Sequence, residues 1–280
     1  MTTGPGQTPT LGTSTARVFD LSLGQMLWSR RSVFLALLVG GPVLVAAVIR
    51  LASAAASLGT FQLNGARVAG GTLFGLMIWL LYIRFIVPAL GVFYGTALLA
   101  DEVEDKTITY LFTRPISRRA ILFGKYLAYL VCTNLLVLPS VVVVYFLIAP
   151  TGGSTIAGSF PALTADLGML AVGLTAYGAL FAFVGARLKR PLIIGLVFAF
   201  GWEPSVLLLP GYLKRLTVAY YLQALVTHDV PQDSAVAVLL PAFREAPAVA
   251  TSLTALALIT ALTLWLGGRA TEQREYVLDQ

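Results

Sequence analysis

Long apolar runs broken by short polar segments set the pattern of this chain. Crossing about 30 Å of hydrocarbon takes roughly 20 apolar residues in a helix. Runs of that kind at 32–49, 72–99, 120–149, 163–186, 191–209 and 246–267 predict six transmembrane helices. The second and third exceed what a bilayer needs, so they are expected to tilt or project beyond it. Residues 1–15, rich in Gly, Pro, Thr and Ser, read as a disordered tail. Residues 16–31 place Phe19, Leu23, Met26 and Leu27 on one face and end in Arg30 and Arg31. They read as an interfacial helix, or equally as an early extension of the first span. The expected fold is therefore an all-α integral membrane protein. It has a tail, an interfacial helix and, over 32–280, a single six-helix domain. A polar inner segment at 100–119 joins helices 2 and 3, and an outer loop covers 210–246. Within that loop, residues 213–226, with Tyr220 and Tyr221, either form a short helix at the interface or re-enter the membrane.

Composition agrees with the pattern. Of 280 residues, 58% are hydrophobic and 11% charged, with mean hydropathy +0.84. Soluble domains carry about 25% charged residues, so a water-soluble fold is excluded. Nineteen Lys and Arg against 13 Asp and Glu leave a net charge of +6, which in a soluble protein suggests nucleic acid. Here the excess follows loop sidedness instead. With the N-terminus inside, inner segments hold 13 basic residues and outer segments five: Arg50, Arg67, Lys214, Arg215 and Arg244. Arg84 stays within the membrane. That bias places both termini and residues 101–125 in the cytoplasm. The single cysteine, Cys132, sits in an apolar run and reads as a small buried hydrophobe.

The densest charge lies between the second and third runs, in DEVEDKTITYLFTRPISRRAILFGK (101–125). Asp101, Glu102, Glu104 and Asp105 suit the positive end of a short helix. Ile108, Leu111 and Phe112 then form a small apolar face at i, i+3, i+4 spacing. Pro115 stops that helix, and Ser117 can cap the next, which Arg118 and Arg119 open. On physical grounds this is either an amphipathic docking turn or an ordinary inner loop with its positive charges retained.

The residues Glu102-x-Glu104-x-x-Thr107, Leu111, Arg114-Pro115-Ile116-Ser117-Arg118 and Gly124-Lys125 resemble the segment after the second helix of ABC-2 type transporter permeases. Lys106 departs from the glycine that often precedes the Thr in that family. The resemblance implies that Glu102, Glu104, Thr107, Ile108, Leu111, Phe112, Arg114, Pro115, Ser117 and Arg118 belong to a coupling helix seated in a groove of a separate ATPase subunit. It further implies two ATPase copies carrying ATP and Mg, a second permease subunit forming a homodimer, and exporter-type transport across a bacterial or archaeal cytoplasmic membrane. A periplasmic or extracellular accessory protein is compatible with the family, and nucleic acid is not an expected partner. The alternative function is a gradient-driven secondary transporter or channel.

No catalytic, cofactor or metal site is expected within the chain. A P-loop needs G-x-x-x-x-G-K-[ST], yet Gly124-Lys125 is followed by Tyr126 and has Arg119 at the first Gly position. The only histidine, His228, falls in the outer loop near Asp229 and Asp233 and reads as solvated. Arg84 and Glu203 both fall near mid-depth of their spans. Charges there are costly unless paired or hydrated, and they mark functional positions. They are expected either to pair or to line a polar route, with Pro204 bending the helix beside them; a purely structural ion pair is the competing reading. Gly91 and Gly95, like Gly71 and Gly75, have the spacing that lets helices approach closely.

Overall fold

Nearly all of the described chain is helical. The computed structural model describes residues 11–27, 30–55, 61–63, 66–68, 70–98, 118–150, 156–208, 212–226 and 247–273. In chain order these form α1 (Leu11–Leu27), α2 (Arg30–Ala55), a hairpin of β1 (Phe61–Leu63) and β2 (Ala66–Val68), and α3 (Gly70–Gly95). Then come α4 (Arg118–Ile148), α5 (Ile156–Arg187), α6 (Pro191–Leu207), a 3-10 turn (Tyr212–Leu216), α7 (Val218–Gln223) and α8 (Val249–Gln273). The strands pair antiparallel, Phe61 opposite Val68, a small departure from an all-α reading.

Among the described residues, five helices are long and apolar enough to cross a membrane: α2, α3, α4, α5 and α8, whose apolar stretches run from 22 to 30 residues. The fifth expected span, α6, is shorter. At 1.5 Å per residue it reaches about 25 Å, less than the hydrocarbon thickness. Pro210 and Gly211 follow it in the sequence, the residue types that end helices. The N-terminal helix also differs from expectation, beginning at Leu11 instead of residue 16. Its Ser14, Val18 and Ser22 are buried, chiefly against α4. Tertiary contact thus outweighs the weak helix propensity of Gly12-Thr13-Ser14-Thr15. Gly124 on α4 permits the contact: a Cβ there would meet the Thr15 carbonyl and Val18 at 2.8 Å.

Helix α5 is the axis of the bundle and packs against α3, α4 and α8. Hydrocarbon offers no water to unpaired polar groups, and buried tyrosines here spend their hydroxyls on neighbouring helices. Tyr126 and Tyr129 of α4 donate to the Thr175 and Leu174 carbonyls of α5 at 2.9 and 3.1 Å. Tyr82 of α3 bonds Ser140 of α4 at 3.0 Å, and Tyr145 of α4 bonds Ser159 of α5 at 2.8 Å.

Small residues set the closest crossing. A Cβ on Gly185 would stand 2.5 Å from the Thr96 carbonyl oxygen, a backbone atom that no rotamer change removes. Gly185→Ala is therefore expected to destabilise the bundle by about 1–3 kcal/mol, the usual cost of overpacking. Gly168→Ala, with nothing within 4 Å of its Cβ, should be neutral. Thermal unfolding of both variants in detergent checks this, and equal midpoints would refute it.

Several contacts define one end of the bundle. Gly185 of α5 meets Thr96 just beyond α3, and Gly267 of α8 meets Leu122 of α4 and Phe183 of α5. Arg119, at the start of α4, contacts the Glu272 carboxylate near the end of α8 at two points, each 2.6 Å. The C-terminal end of α3 and the start of α4 lie at this same end.

Candidate functional site

The two intramembrane charges sit on helices that share one local irregularity. In α3, residues Ile78–Ile86 are π-helical, and the Val87 N–H bonds the Tyr82 carbonyl five residues back. In α6, residues Val197–Trp202 are π-helical, and the Glu203 N–H likewise bonds Phe198. Each π stretch is closed by a proline, Pro88 or Pro204. A proline has no amide to give the carbonyl four residues back, and widening the local turn is one way a helix absorbs that loss. Arg84 lies four residues before Pro88, and Glu203 lies immediately before Pro204. The charges thus stand where the helical ladder is already disturbed.

Glu203 is 2% exposed, and its carboxylate is well supplied with donors. The Tyr177 hydroxyl of α5 donates to Oε2. The backbone N–H groups of Val218 and Ala219 donate to Oε1 at 2.9 and 3.4 Å. The latter pair open α7, where the Thr217 side chain accepts from the Tyr220 N–H in addition. Helix α7 folds back against α3, α5 and α8, with Val218, Ala219, Tyr220, Leu222 and Gln223 buried. Within residues 213–226, Leu213 and Leu216 of the 3-10 turn are exposed, and α7 packs against α3, α5 and α8. Glu203 is what holds its first turn.

Arg84 is only partly buried. Its guanidinium lies over the Trp79 ring, 5.5 Å from the centroid. The i→i+5 geometry of a π-turn brings residues five apart onto nearly one side, which an ordinary helix does not do. Arg84 is within electrostatic reach of Tyr177 and Glu203, but the contact its guanidinium makes is with the Trp79 ring. The two charges therefore share a neighbourhood, joined through space and not by a direct bridge.

Gly91 and Gly95 turn inward. Cβ atoms there would stand 2.8 Å from the Tyr177 Cβ and 2.9 Å from the Phe181 Cβ. The close approach they permit is to α5 of the same chain, and it sets the depth of Tyr177. Gly71 has nothing within 4 Å. Glu102, Glu104, Thr107, Ile108, Leu111, Phe112, Arg114, Pro115 and Ser117 lie outside the described residues, as does His228; Arg118 opens α4. Among the described residues no group of three or more His, Cys, Asp or Glu is arranged to hold a metal.

Sequence reasoning did not single out Tyr177, 26 residues before its partner Glu203, nor Trp79. It also passed over Asp166, 1% exposed on α5. The one local signal for the first two was a proline near a charge in each of two apolar helices, and only Pro204 was weighed.

A bundle of membrane-length apolar helices defines a multi-pass membrane protein. No curated protein matches the chain. The family model described as ABC-2 family transporter protein matches residues 32–266, and the chain belongs to that family. It is a membrane component of transport.

Proposed function

We propose that this chain is the permease subunit of an ATP-driven, exporter-type transporter whose energy comes from a separate ATPase. The observation that carries the reading is the family match over residues 32–266 together with the acidic-apolar-basic segment 101–118. The helices that flank it in sequence, α3 and α4, meet α5 and α8 at one end of the bundle, so a soluble subunit gripping the segment would pull on four helices together. Without a P-loop in the sequence, ATP and Mg belong to the partner. The assembly is a homodimer of permeases with two ATPases. Each permease crosses a bacterial or archaeal cytoplasmic membrane six times, α6 together with the 3-10 turn and α7 serving as the short crossing and its outer return. Both termini face the cytoplasm, as the basic bias of the inner segments requires.

Co-purification tests this directly. An ATP-binding subunit of about 25–35 kDa, the size of one or two domains, should accompany the chain at one copy per permease. Transport in liposomes should require ATP hydrolysis. A chain that purifies alone and moves solute under an ion gradient without nucleotide is a secondary transporter or channel, and the proposal fails.

A further inference from the structure

Between α5 and α8, at the end of the bundle where both helices stop, lies a cavity of about 520 Å³ lined by Phe183, Arg187, Leu266, Arg269, Ala270 and Gln273. Its volume falls in the range of small-molecule sites, roughly 300–1,000 Å³. Its lining holds two guanidinium groups and no carboxylate, and the nearby acid Glu272 is engaged by Arg119. Two helix C-termini point here, each worth about half a negative charge, which leaves a positive balance against two arginines. Lys189 and Arg190, exposed in the following turn, add to the same sign.

What adjoins the cavity narrows its occupant. On α8, Leu258, Leu262, Trp265 and Arg269 recur at i, i+4, i+7 and i+11, one face of a helix. The first three are 70%, 56% and 49% exposed. The Arg269 guanidinium lies over the Trp265 ring, 4.0 Å from its centroid. The order along this face is leucine, leucine, tryptophan, arginine: acyl-chain surface, interfacial aromatic, then headgroup charge. Tryptophan favours the membrane–water interface, and basic pockets between membrane helices suit anionic headgroups.

We propose that the Arg187–Arg269 cleft binds the phosphate-bearing headgroup of an anionic phospholipid, its acyl chains lying along Leu258 and Leu262. The phosphate bridges the two guanidinium groups, whose forked donors match phosphate oxygens. Gln273 supplies a neutral donor at the rim. A lipid held there links α5 to α8 at the end where the Arg119–Glu272 pair links α4 to α8.

The test uses the full-length chain purified in detergent with whatever subunits accompany it, and native mass spectrometry to count bound lipid. Phosphatidylglycerol should bind in preference to phosphatidylcholine. The double variant Arg187→Gln/Arg269→Gln should bind phosphatidylglycerol about 25-fold more weakly, with each basic residue worth a factor of roughly five. Phosphatidylcholine binding should stay unchanged, and Arg50→Gln, on α2 and not part of the cleft's lining, should behave as the parent. If the double variant does not fold, exposed Arg187→Gln alone should show about a fivefold loss. Undiminished phosphatidylglycerol binding in the arginine variants overturns the proposal. Displacement of the lipid by equimolar inorganic phosphate would show a free-phosphate site instead. Loss of a protein subunit with lipid binding intact would show a protein-docking surface.

Discussion

Leu111→Asp is expected to abolish transport while leaving the helical bundle folded. In the proposed coupling segment, Ile108, Leu111 and Phe112 form the apolar face, and Leu111 is its central residue. Burying a leucine side chain is worth about 1.5–3 kcal/mol, and forcing an unpaired carboxylate into the same groove adds several more. Even 3 kcal/mol weakens an interface by about a hundredfold, at 1.4 kcal/mol per factor of ten. Glu102→Lys and Glu104→Lys act differently, reversing the charge that meets the partner and opposing the dipole of the short helix. The bundle should survive all three, because α4 begins at Arg118 and Arg119 contacts Glu272 of α8. The measurements are transport, retention of the ATPase and thermal unfolding, taken together. Unchanged transport in all three variants would sink the coupling role of 101–118, and a large fall in unfolding midpoint would reassign those residues to the fold.

The fold was legible in the chain to the extent that hydrophobicity alone dictates it. Runs of apolar residues located the helices, because in lipid the backbone has almost no alternative to the helix. Yet α2 runs on to Ala55, α5 begins at Ile156 and α8 runs on to Gln273, well beyond the expected spans. What the pattern did not supply was length at the ends. Tertiary contact carries α1 back to Leu11. The β1–β2 hairpin had a signal, since Asn64-Gly65 between short apolar flanks is a strong two-residue hairpin signature; it was overlooked in a segment read only as an outer connection. The site was less legible. Arg84 and Glu203 stand out in any apolar run, but their surroundings depend on residues far away in sequence. Tyr177 and Glu203 meet across two different helices, α5 and α6, 26 residues apart in sequence. The Arg84–Trp79 stack exists only in the π-helical register of α3. Helical periodicity assumes 3.6 residues per turn, so a contact made by departing from that period is invisible to it.

Glu203→Ala is expected to be the most damaging single change within the membrane. The carboxylate accepts from the Tyr177 hydroxyl and from the Val218 and Ala219 amides, so its removal leaves three donors without that partner. Each unsatisfied buried group costs about 1–3 kcal/mol. The Ala219 contact is long at 3.4 Å, and Thr217 still caps α7. The total therefore falls on the order of 3–5 kcal/mol rather than the full sum. Its first effect should be local: α7 loses its tie to α6 and lifts from the groove between α3, α5 and α8. Glu203→Gln keeps a carbonyl oxygen for the amides and should cost much less. Arg84→Ala removes the nearby positive charge without orphaning any of these donors, so it should destabilise less than Glu203→Ala. Two readouts separate architecture from transport: thermal unfolding, and protease cleavage near residues 212–226. If the Ala variant loses transport with both unchanged, Glu203 acts on the moving solute, and the capping role fails. If both shift and Gln restores them along with transport, the carboxylate works as a clamp for the outer return. Arg84 then serves to keep a buried negative charge tolerable in a place where lipid would otherwise expel it.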